Sequence, residues 1–317
     1  MDNSSAVDLM RKASVRILTD GMVGNSIVCS MSVLGFSVSV CQLLVMFVWK
    51  PLRDMCQILV INAAVADALK AIGFSLPCFK RLYLAARSKD EVIDQWDCMF
   101  WLMPCAFTTF HSMSSVLVLS AERLAVITTP VWYKNHKRSF LWSLAVLTFS
   151  ASAVASVFML VGVSDKLLMF SCNLVSSTTT QYYTFLLHYQ NVATGAIILV
   201  NCITCIMLFK RWRAAEMARA DMKSFKREIE FGAIKAVFSV VVVCLLSFFG
   251  AMVFMAVIQN LDATTRAYYG PFWGCFQMVR GMVDYPLWLI FSRKYRAGLK
   301  AVFGCGNTQV RAITTLQ

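Results

Sequence analysis

Charged residues are scarce in this 317-residue chain, in which only 15% of the residues are Asp, Glu, Lys or Arg. An ordinary soluble domain carries about 25%. Histidine is scarcer still, with three in the whole chain, so a metal site has almost no support. No group of polar residues forms a pattern typical of a catalytic site. These shortages argue against a soluble enzyme and turn attention to the apolar part of the sequence.

Apolar residues make up 58% of the chain and are concentrated in long runs. A helix that spans a membrane needs about 20 such residues. Seven runs reach that length, at about 23–49, 56–79, 98–122, 140–163, 182–209, 232–258 and 268–291. Only helices and closed barrels satisfy their backbone hydrogen bonds in lipid, and these runs are too long for barrel strands. The sequence therefore predicts an all-α membrane protein, built as a seven-transmembrane helix bundle.

Basic residues outnumber acidic ones, 30 against 17. If the N-terminus lies outside, seventeen basic residues fall in cytoplasmic segments and nine in outer segments. The positive-inside rule therefore predicts an outer N-terminus and a cytoplasmic C-terminus. Nucleic-acid binding is the competing explanation of the charge, but membrane orientation already accounts for it. The predicted parts are an extracellular N-terminus (1–22), the bundle (23–291), and a cytoplasmic amphipathic helix with a tail (292–317).

Both ends of the chain carry candidate modification sites. Asn3 begins an Asn-Ser-Ser glycosylation sequon on the predicted outer side. No cleavable signal peptide is evident, since the first 22 residues are polar and the first apolar run is too long for a signal core. Residues 291–303 are basic and amphipathic, which predicts a helix along the inner membrane surface. Cys305 follows them and is a candidate for palmitoylation, with an unmodified cysteine as the alternative.

Most of the twelve cysteines lie in apolar runs, where a free cysteine behaves as a small apolar residue. Two differ from the rest. Cys98 opens the third run, and Cys172 lies in the loop between the fourth and fifth. Both are predicted to face the oxidising side of the membrane, where disulfides persist.

A pair of opposite charges, Glu122 and Arg123, ends the third apolar run. Charges at membrane depth are costly and usually mark function. The pair is followed by Leu-Ala-Val-Ile, Pro130 and Tyr133, a pattern that resembles the end of the third helix in rhodopsin-like G-protein-coupled receptors. The resemblance covers about residues 30–305. It implies a plasma-membrane receptor in which Glu122 holds Arg123 until ligand frees it to meet a heterotrimeric G protein. A static structural ion pair is the alternative.

The same resemblance assigns the two exceptional cysteines. Cys98 lies 25 residues before Arg123, as the helix-three cysteine of the family does. The family pairs that cysteine with one in the second outer loop, where Cys172 is the single cysteine. The resemblance therefore implies a Cys98–Cys172 disulfide.

Asp67 ends a run of apolar and small residues that resembles the second helix of the family. An isolated buried carboxylate must be protonated, paired or bound to an ion. In the family this Asp holds a sodium ion, and Ser112 matches a second ligand, so the resemblance implies a sodium site. A neutral Asp67 bonded to neighbouring helices is the alternative. Lys70 and Arg280 are also unusual at membrane depth, with Asp67 and Asp284 as their expected interior partners.

The sixth and seventh segments depart from the family pattern. Asp284, Tyr285 and Pro286 stand where the family has its Asn-Pro-x-x-Tyr switch, so the proline matches while the Asn and the Tyr are missing. The sixth segment lacks the Trp and Pro of the family. Ser247 and Gly250 are the residues there that still permit bending. The resemblance therefore implies a receptor whose switch differs from the usual one.

Two ligand classes lose support at the positions that the family uses for them. Cys105 stands where amine receptors carry an Asp, and Val279 stands where opsins carry the retinal-binding Lys. The family pocket implies eight lining candidates, each of which is also an ordinary packing residue: Trp101, Cys105, Thr109, Phe248, Phe249, Met252, Phe272 and Phe276. Such a pocket is aromatic, soft and mostly neutral, which suits a small apolar or weakly polar ligand.

Residues 52–60, followed by Ala-Asp-Ala-Leu at 66–69, resemble nematode serpentine chemoreceptors of class SX, which implies a chemosensory ligand. A neuropeptide-type receptor is the alternative within the family. A transporter or ligand-gated channel is another alternative, with a polar path through Asp67, Lys70, Arg280 and Asp284, although the chain shows no inverted repeat. A receptor-like protein that no longer signals also fits the lost switch residues.

Overall fold

A computed structural model describes residues 3–49, 57–164, 168–169, 172, 174–218, 242–243, 245–291 and 293–303. The helices, in chain order, are α1 (Asn3–Asp20), α2 (Met22–Val48), α3 (Gln57–Ala86), α4 (Gln95–Thr128), α5 (Pro130–Val157), α6 (Leu174–Ser177), α7 (Thr180–Ala218), α8 (Gly250–Gln259), α9 (Ala263–Tyr269), α10 (Phe272–Phe291) and α11 (Arg293–Phe303). Five of them are long and apolar enough to cross a membrane: α2, α3, α4, α5 and α7. They follow the first five predicted spans, because long apolar runs satisfy their backbone internally only as helices.

The sixth predicted span is described in its second half, where a π-helical turn at Leu245–Phe249 leads directly into α8. Residues 232–241 of this span lie outside the described part. The seventh predicted span appears as α10, which contains Pro286 within the helix. Both elements pack against each other.

The helix α4 lies at the centre of the bundle, in contact with α3, α5 and α7. Asp94 starts it, since the carboxylate accepts a 2.7 Å hydrogen bond from the backbone N–H of Asp97. Pro130 begins the next helix, where its missing N–H removes no helical bond. Around α4 the main apolar core is built from side chains such as Met99, Phe110 and Tyr182.

One end of the bundle, which carries Cys98 and Cys172, is named here the disulfide end. The short strands β1 (Ile93–Asp94) and β2 (Leu168–Met169) pair antiparallel there. The helix α1 docks on the same end, since Ile17 and Leu18 are buried and Ser14 Oγ accepts a 2.9 Å hydrogen bond from the Glu91 backbone N–H.

The opposite end of the bundle, which carries Arg123, is named the Arg123 end. The basic helix α11 lies against it through Tyr295, which packs with Val45, Met46 and Val60. The remaining tail, with the candidate palmitoylation site Cys305, lies outside the described residues.

Candidate functional site

Glu122 is fully buried near the Arg123 end of α4, and two partners contact its carboxylate. Tyr133 from α5 donates its hydroxyl to Glu122 Oε1 at 2.5 Å. Arg123 Nε lies 3.5 Å from Glu122 Oε2. The structure therefore brings together three of the residues that the sequence predicts for this end, and Pro130 starts the helix that carries Tyr133.

The Arg123 side chain is 39% exposed, in contrast to the buried acid beside it. Its positive charge is also felt by Tyr295 of α11. Burial raises the pKa of the Tyr295 phenol above its ordinary value, and Arg123 and a hydrogen bond with Gln42 offset part of that rise. Arg123 thus lies beside a buried acid on its own helix and near a buried phenol on α11, while part of its side chain stays accessible.

The remaining predicted switch residues lie on α10. Pro286 is within this helix and exposed. The backbone of Asp284 and Tyr285 belongs to α10, but their side chains lie outside the described part of the chain.

Asp67 is buried at mid-depth, and both of its carboxylate oxygens face basic groups. Lys70 Nζ lies 3.3 Å from Asp67 Oδ1, and Arg280 Nη2 lies 3.3 Å from Asp67 Oδ2. The exposed side-chain fractions are 6% for Asp67, 1% for Lys70 and 3% for Arg280, so water screens these charges little. The expected interior pairing of Asp67 with both cations is present.

Ser112 from α4 ties the three charges together. Its hydroxyl donates to Asp67 Oδ1 at 2.9 Å and accepts from Lys70 Nζ at 2.9 Å and from Arg280 Nη1 at 2.8 Å. Arg280 Nη1 also donates to the Ser112 backbone oxygen at 2.7 Å. One donor and two acceptor sites are what a hydroxyl offers, so Ser112 is fully used.

These contacts do not fit a sodium ion at Asp67. The carboxylate already faces two cationic groups within 3.3 Å, and a third positive charge there would be repelled. The Ser112 oxygen, the second ligand that the resemblance implies, already accepts two charge-assisted hydrogen bonds. The residues present supply their own cations in place of the ion.

At the disulfide end, Cys98 and Cys172 form a disulfide with 5.5 Å between their Cα atoms. Glu91, which is 3% exposed, lies next to this bridge, and its Oε2 accepts from the Cys172 backbone N–H at 3.4 Å. The same carboxylate contacts two basic groups from the end of α3. Lys80 Nζ lies 3.6 Å from Oε1, and Arg81 Nε lies 3.5 Å from Oε2.

A cavity of about 30 Å³ lies beside Arg81, among residues of α2, α3, α4 and α10. Its walls are mostly apolar, with side chains such as Val28, Phe74 and Leu102. Two polar side chains also line it, Arg81 and Trp273. Arg81 is 4% exposed and Trp273 is 1% exposed. Within the described part of the chain, Arg81 Nε and Nη2 and Trp273 Nε1 have no hydrogen-bond partner.

The eight predicted pocket residues come from α4 and from the described parts of the sixth and seventh spans. Cys105 lines the cavity beside Arg81, and Thr109, one turn further along α4, donates to the Cys105 backbone oxygen at 2.8 Å. Trp101 is 53% exposed and its ring lies 5.2 Å from Lys80 Nζ.

The other predicted pocket residues come from the sixth and seventh spans. Phe248 is fully buried against a cluster that includes Met113 and Ile197 from α4 and α7, whereas Phe249 is 48% exposed. Phe276 packs its ring 5.4 Å from that of Phe254. Phe272 lies where a side chain at Gly24 would have to be, and Met252 is half-buried on α8.

The π turn at Leu245–Phe249 occupies the place where the family carries its Trp and Pro. Ser247 Oγ donates to the Val243 backbone oxygen at 2.7 Å within it. Such back-bonding and π turns both bend helices, and π turns are frequent at functional sites. The bend that the sequence assigns to Ser247 therefore coincides with an irregular turn.

Sequence reasoning missed Arg81 and Trp273. The second span was predicted to end at residue 79, so Arg81 was assigned to an outer loop, but α3 continues to Ala86. A usable signal was present: Arg81 lies fourteen residues after Asp67, close to four helical turns, so the two share a helix face. Trp273 carried no signal, since a Trp in an apolar run is ordinarily a packing residue.

Comparison with known proteins adds one match. A family model described as "7 transmembrane receptor (rhodopsin family)" matches residues 28–284. A search of curated proteins gives no match. The matched segment begins within α2, ends within α10, and contains Asp67, Glu122, Arg123 and the disulfide.

Proposed function

Because the chain belongs to the rhodopsin family of seven-transmembrane receptors, we propose that it couples a small extracellular ligand to a heterotrimeric G protein inside the cell. Family membership makes the protein a multi-pass membrane receptor and not an enzyme, and it confirms the predicted all-α seven-helix class. Ligand class, G-protein coupling and orientation are the parts that this proposal adds.

The proposed orientation places the disulfide end outside and the Arg123 end in the cytoplasm, with the receptor in the plasma membrane. A disulfide persists in an oxidising compartment, which supports an outer position for Cys98 and Cys172. The basic helix α11 at the Arg123 end supports a cytoplasmic position for that end by the positive-inside rule. The helix α1 then lies outside, which puts the Asn3 sequon on the side of the membrane where glycans are added. Cys305 would carry a palmitoyl chain on the cytoplasmic side.

The geometry of Glu122, Arg123 and Tyr133 carries the coupling proposal. Tyr133 holds one oxygen of the buried carboxylate at 2.5 Å, while Arg123 lies 3.5 Å from the other and remains 39% exposed. Glu122 thus stays anchored to α5 when the looser contact to Arg123 opens. A ligand that favours an open packing of the Arg123 end would release Arg123 toward the G protein, as a population shift between two packings.

A small ligand suits this bundle better than a peptide, because the cavity at the disulfide end is about 30 Å³. A chemosensory role follows from that size and from the class SX resemblance. The irregular turn at Leu245–Phe249 is the proposed flexible element of the sixth helix, in place of the missing proline.

The test of coupling requires no ligand. Proximity between the receptor and a G-protein heterotrimer is measured in cells by energy transfer, at matched surface expression. Glu122→Gln is expected to raise basal coupling, because Arg123 loses the charge of its partner, and Arg123→Ala is expected to abolish it. Arg138→Ala is the matched control, since Arg138 is an exposed arginine on α5 near the same end. Equal basal coupling of wild type, Glu122→Gln and Arg123→Ala, across the G-protein classes, would refute the role given to Arg123.

A further inference from the structure

We propose that the cavity between α2, α3, α4 and α10 binds a small carboxylate, held by the Arg81 guanidinium and the Trp273 indole N–H. This site differs from the pocket that the sequence resemblance implies, with which it shares Cys105 alone. Binding rests on the cavity itself, whereas its meaning as a signal rests on the proposed function.

Buried donors in the walls of this cavity have no hydrogen-bond partner among the described residues. Arg81 is only 4% exposed, yet its Nε and Nη2 have no hydrogen-bond partner within the described chain. Trp273 Nε1 is in the same condition. A buried donor without an acceptor is costly, and native proteins rarely leave one unexplained. Two side chains with this defect line the same cavity, and each is a donor that cannot accept.

The charges beside the cavity also favour an anion. The disulfide end joins Lys80 and Arg81 to one buried acid, Glu91. Lys80 Nζ and Arg81 Nε lie 3.6 and 3.5 Å from the Glu91 carboxylate, which are ion-pair distances. The contact of Arg81 Nε with Glu91 lacks the geometry of a hydrogen bond. These three side chains carry one net positive charge. An anion beside Arg81 would balance it, and a guanidinium prefers the planar oxygens of a carboxylate.

The size and polarity of the cavity limit which anion can bind. A water needs at least about 10–15 Å³ of such space, so 30 Å³ holds about two water-sized atoms. A carboxylate presents two oxygens of that size. That space takes the carboxylate group alone. A short hydrocarbon chain must displace side chains of the remaining apolar walls, which include Val28, Phe74 and Leu102. The combination favours a monocarboxylate of a few carbons over a bulky or polyvalent anion.

Thermal unfolding of the purified full-length receptor tests the site with potassium propionate as the probe. Potassium chloride at equal ionic strength and propionamide are the controls, since propionamide has nearly the same shape without the charge. Propionate at about ten times its Kd is expected to raise the Tm by about 3 °C, and the two controls are expected to leave it unchanged.

The variants locate the effect. Arg81→Gln is expected to abolish the propionate shift, and Trp273→Phe, which keeps the ring and removes the N–H, is expected to reduce it by about half. Arg87→Gln is the matched control, because Arg87 is an exposed arginine in the turn that follows the same helix, and it should retain the full shift. If Arg81→Gln does not fold, Cys105→Leu replaces it, since it fills the cavity without touching the charges.

The outcomes separate this inference from the proposed function. No shift with formate, acetate, propionate or butyrate means that water alone fills the cavity, which overturns the site. A shift that survives in both Arg81→Gln and Cys105→Leu, or that propionamide reproduces, also overturns it. A shift that follows the variants supports the site, even where propionate evokes no G-protein response. That last result would count against the signalling proposal alone.

Discussion

Two groups of buried charge lie on α3, and they differ in how completely their hydrogen bonds are met. At mid-depth, Asp67 faces Lys70 and Arg280, and Ser112 uses its one donor and two acceptors among them. At the disulfide end, Glu91 is shared between Lys80 and Arg81 at 3.5–3.6 Å, and part of the Arg81 guanidinium has no bond.

The difference shows what each cluster can do. Buried charges whose hydrogen bonds are satisfied fix one arrangement of the helices that carry them, here α3, α4 and α10, and leave no donor or acceptor for a ligand. Unpaired donors beside a cavity can instead bind an acceptor that a ligand supplies. The same residue types therefore build a structural tie around Asp67 and the wall of the proposed carboxylate site at the disulfide end. Four expected outcomes test this contrast.

Asp67→Asn is expected to have the largest effect. It leaves Lys70 and Arg280 buried without their acid, and breaking a buried pair from one side costs about 3–5 kcal/mol. We expect a large loss of thermal stability and surface expression. Asp90→Asn is the control, because Asp90 pairs with Arg11 at 3.6 Å in a largely exposed position. Wild-type stability of Asp67→Asn would contradict the tie, whereas partial rescue by Lys70→Met in the double variant would confirm coupling of the charges.

Glu91→Gln is expected to cost less, roughly 2 kcal/mol, because only one of its two cations is deeply buried. Lys80 is 29% exposed in its side chain and can turn to solvent, while Arg81 at 5% cannot. The variant is also expected to tighten propionate binding, since Arg81 loses its competing acid. Chemical denaturation and the propionate Tm shift measure the two effects. Weaker propionate binding in Glu91→Gln would show that Arg81 is not the anchor.

Lys70→Met is expected to cost about 1 kcal/mol. Arg280 still contacts Asp67 Oδ2 and both oxygens of Ser112, so the carboxylate keeps a charged partner. The methionine fills the apolar volume of the lysine stem. A loss as large as that of Asp67→Asn would show that Lys70, rather than the pair of cations, holds the cluster.

Exchange of sodium for potassium is expected to have no effect on wild type. Since Lys70 and Arg280 take the place of an ion, the Tm should agree within about 1 °C at equal ionic strength. The double variant Lys70→Met with Arg280→Met frees Asp67 and Ser112 and is expected to gain sodium-dependent stability. Sodium-dependent stability of wild type would contradict the contacts at Asp67.

The comparison also shows how far the sequence reaches. Apolar runs longer than a bilayer predict helices from composition alone, and the spacing of Cys98, Arg123 and Pro130 pointed to the family that the match then showed. The sequence also predicts that Lys70 and Arg280 pair with interior acids, because charges inside a membrane are costly alone, and the structure places both cations at Asp67. These inferences succeeded since each depends on one strong cost.

Inferences that needed side-chain direction were less complete. Helix α3 runs past Lys80 and Arg81, which both pair with Glu91 from a following loop, and no local sequence pattern predicts that contact. The sodium site followed from a resemblance at Asp67 and Ser112, but the two cations nearby change its chemistry. The α1 helix lies on a segment that the sequence marked only as polar and extracellular.

The π turn at Leu245–Phe249 changes the direction in which the side chains after it point around the helix axis. A π turn holds one residue more than an α turn, so each later side chain is rotated by about 100° from its place in an unbroken helix. Positions counted through Ser247 from a straight-helix relative therefore point in another direction. Phe249, which the resemblance assigns to a pocket, is 48% exposed. In this receptor a local change of winding therefore sets which way the later side chains of the sixth helix point. Its effect equals that of a one-residue insertion, although the sequence shows no gap.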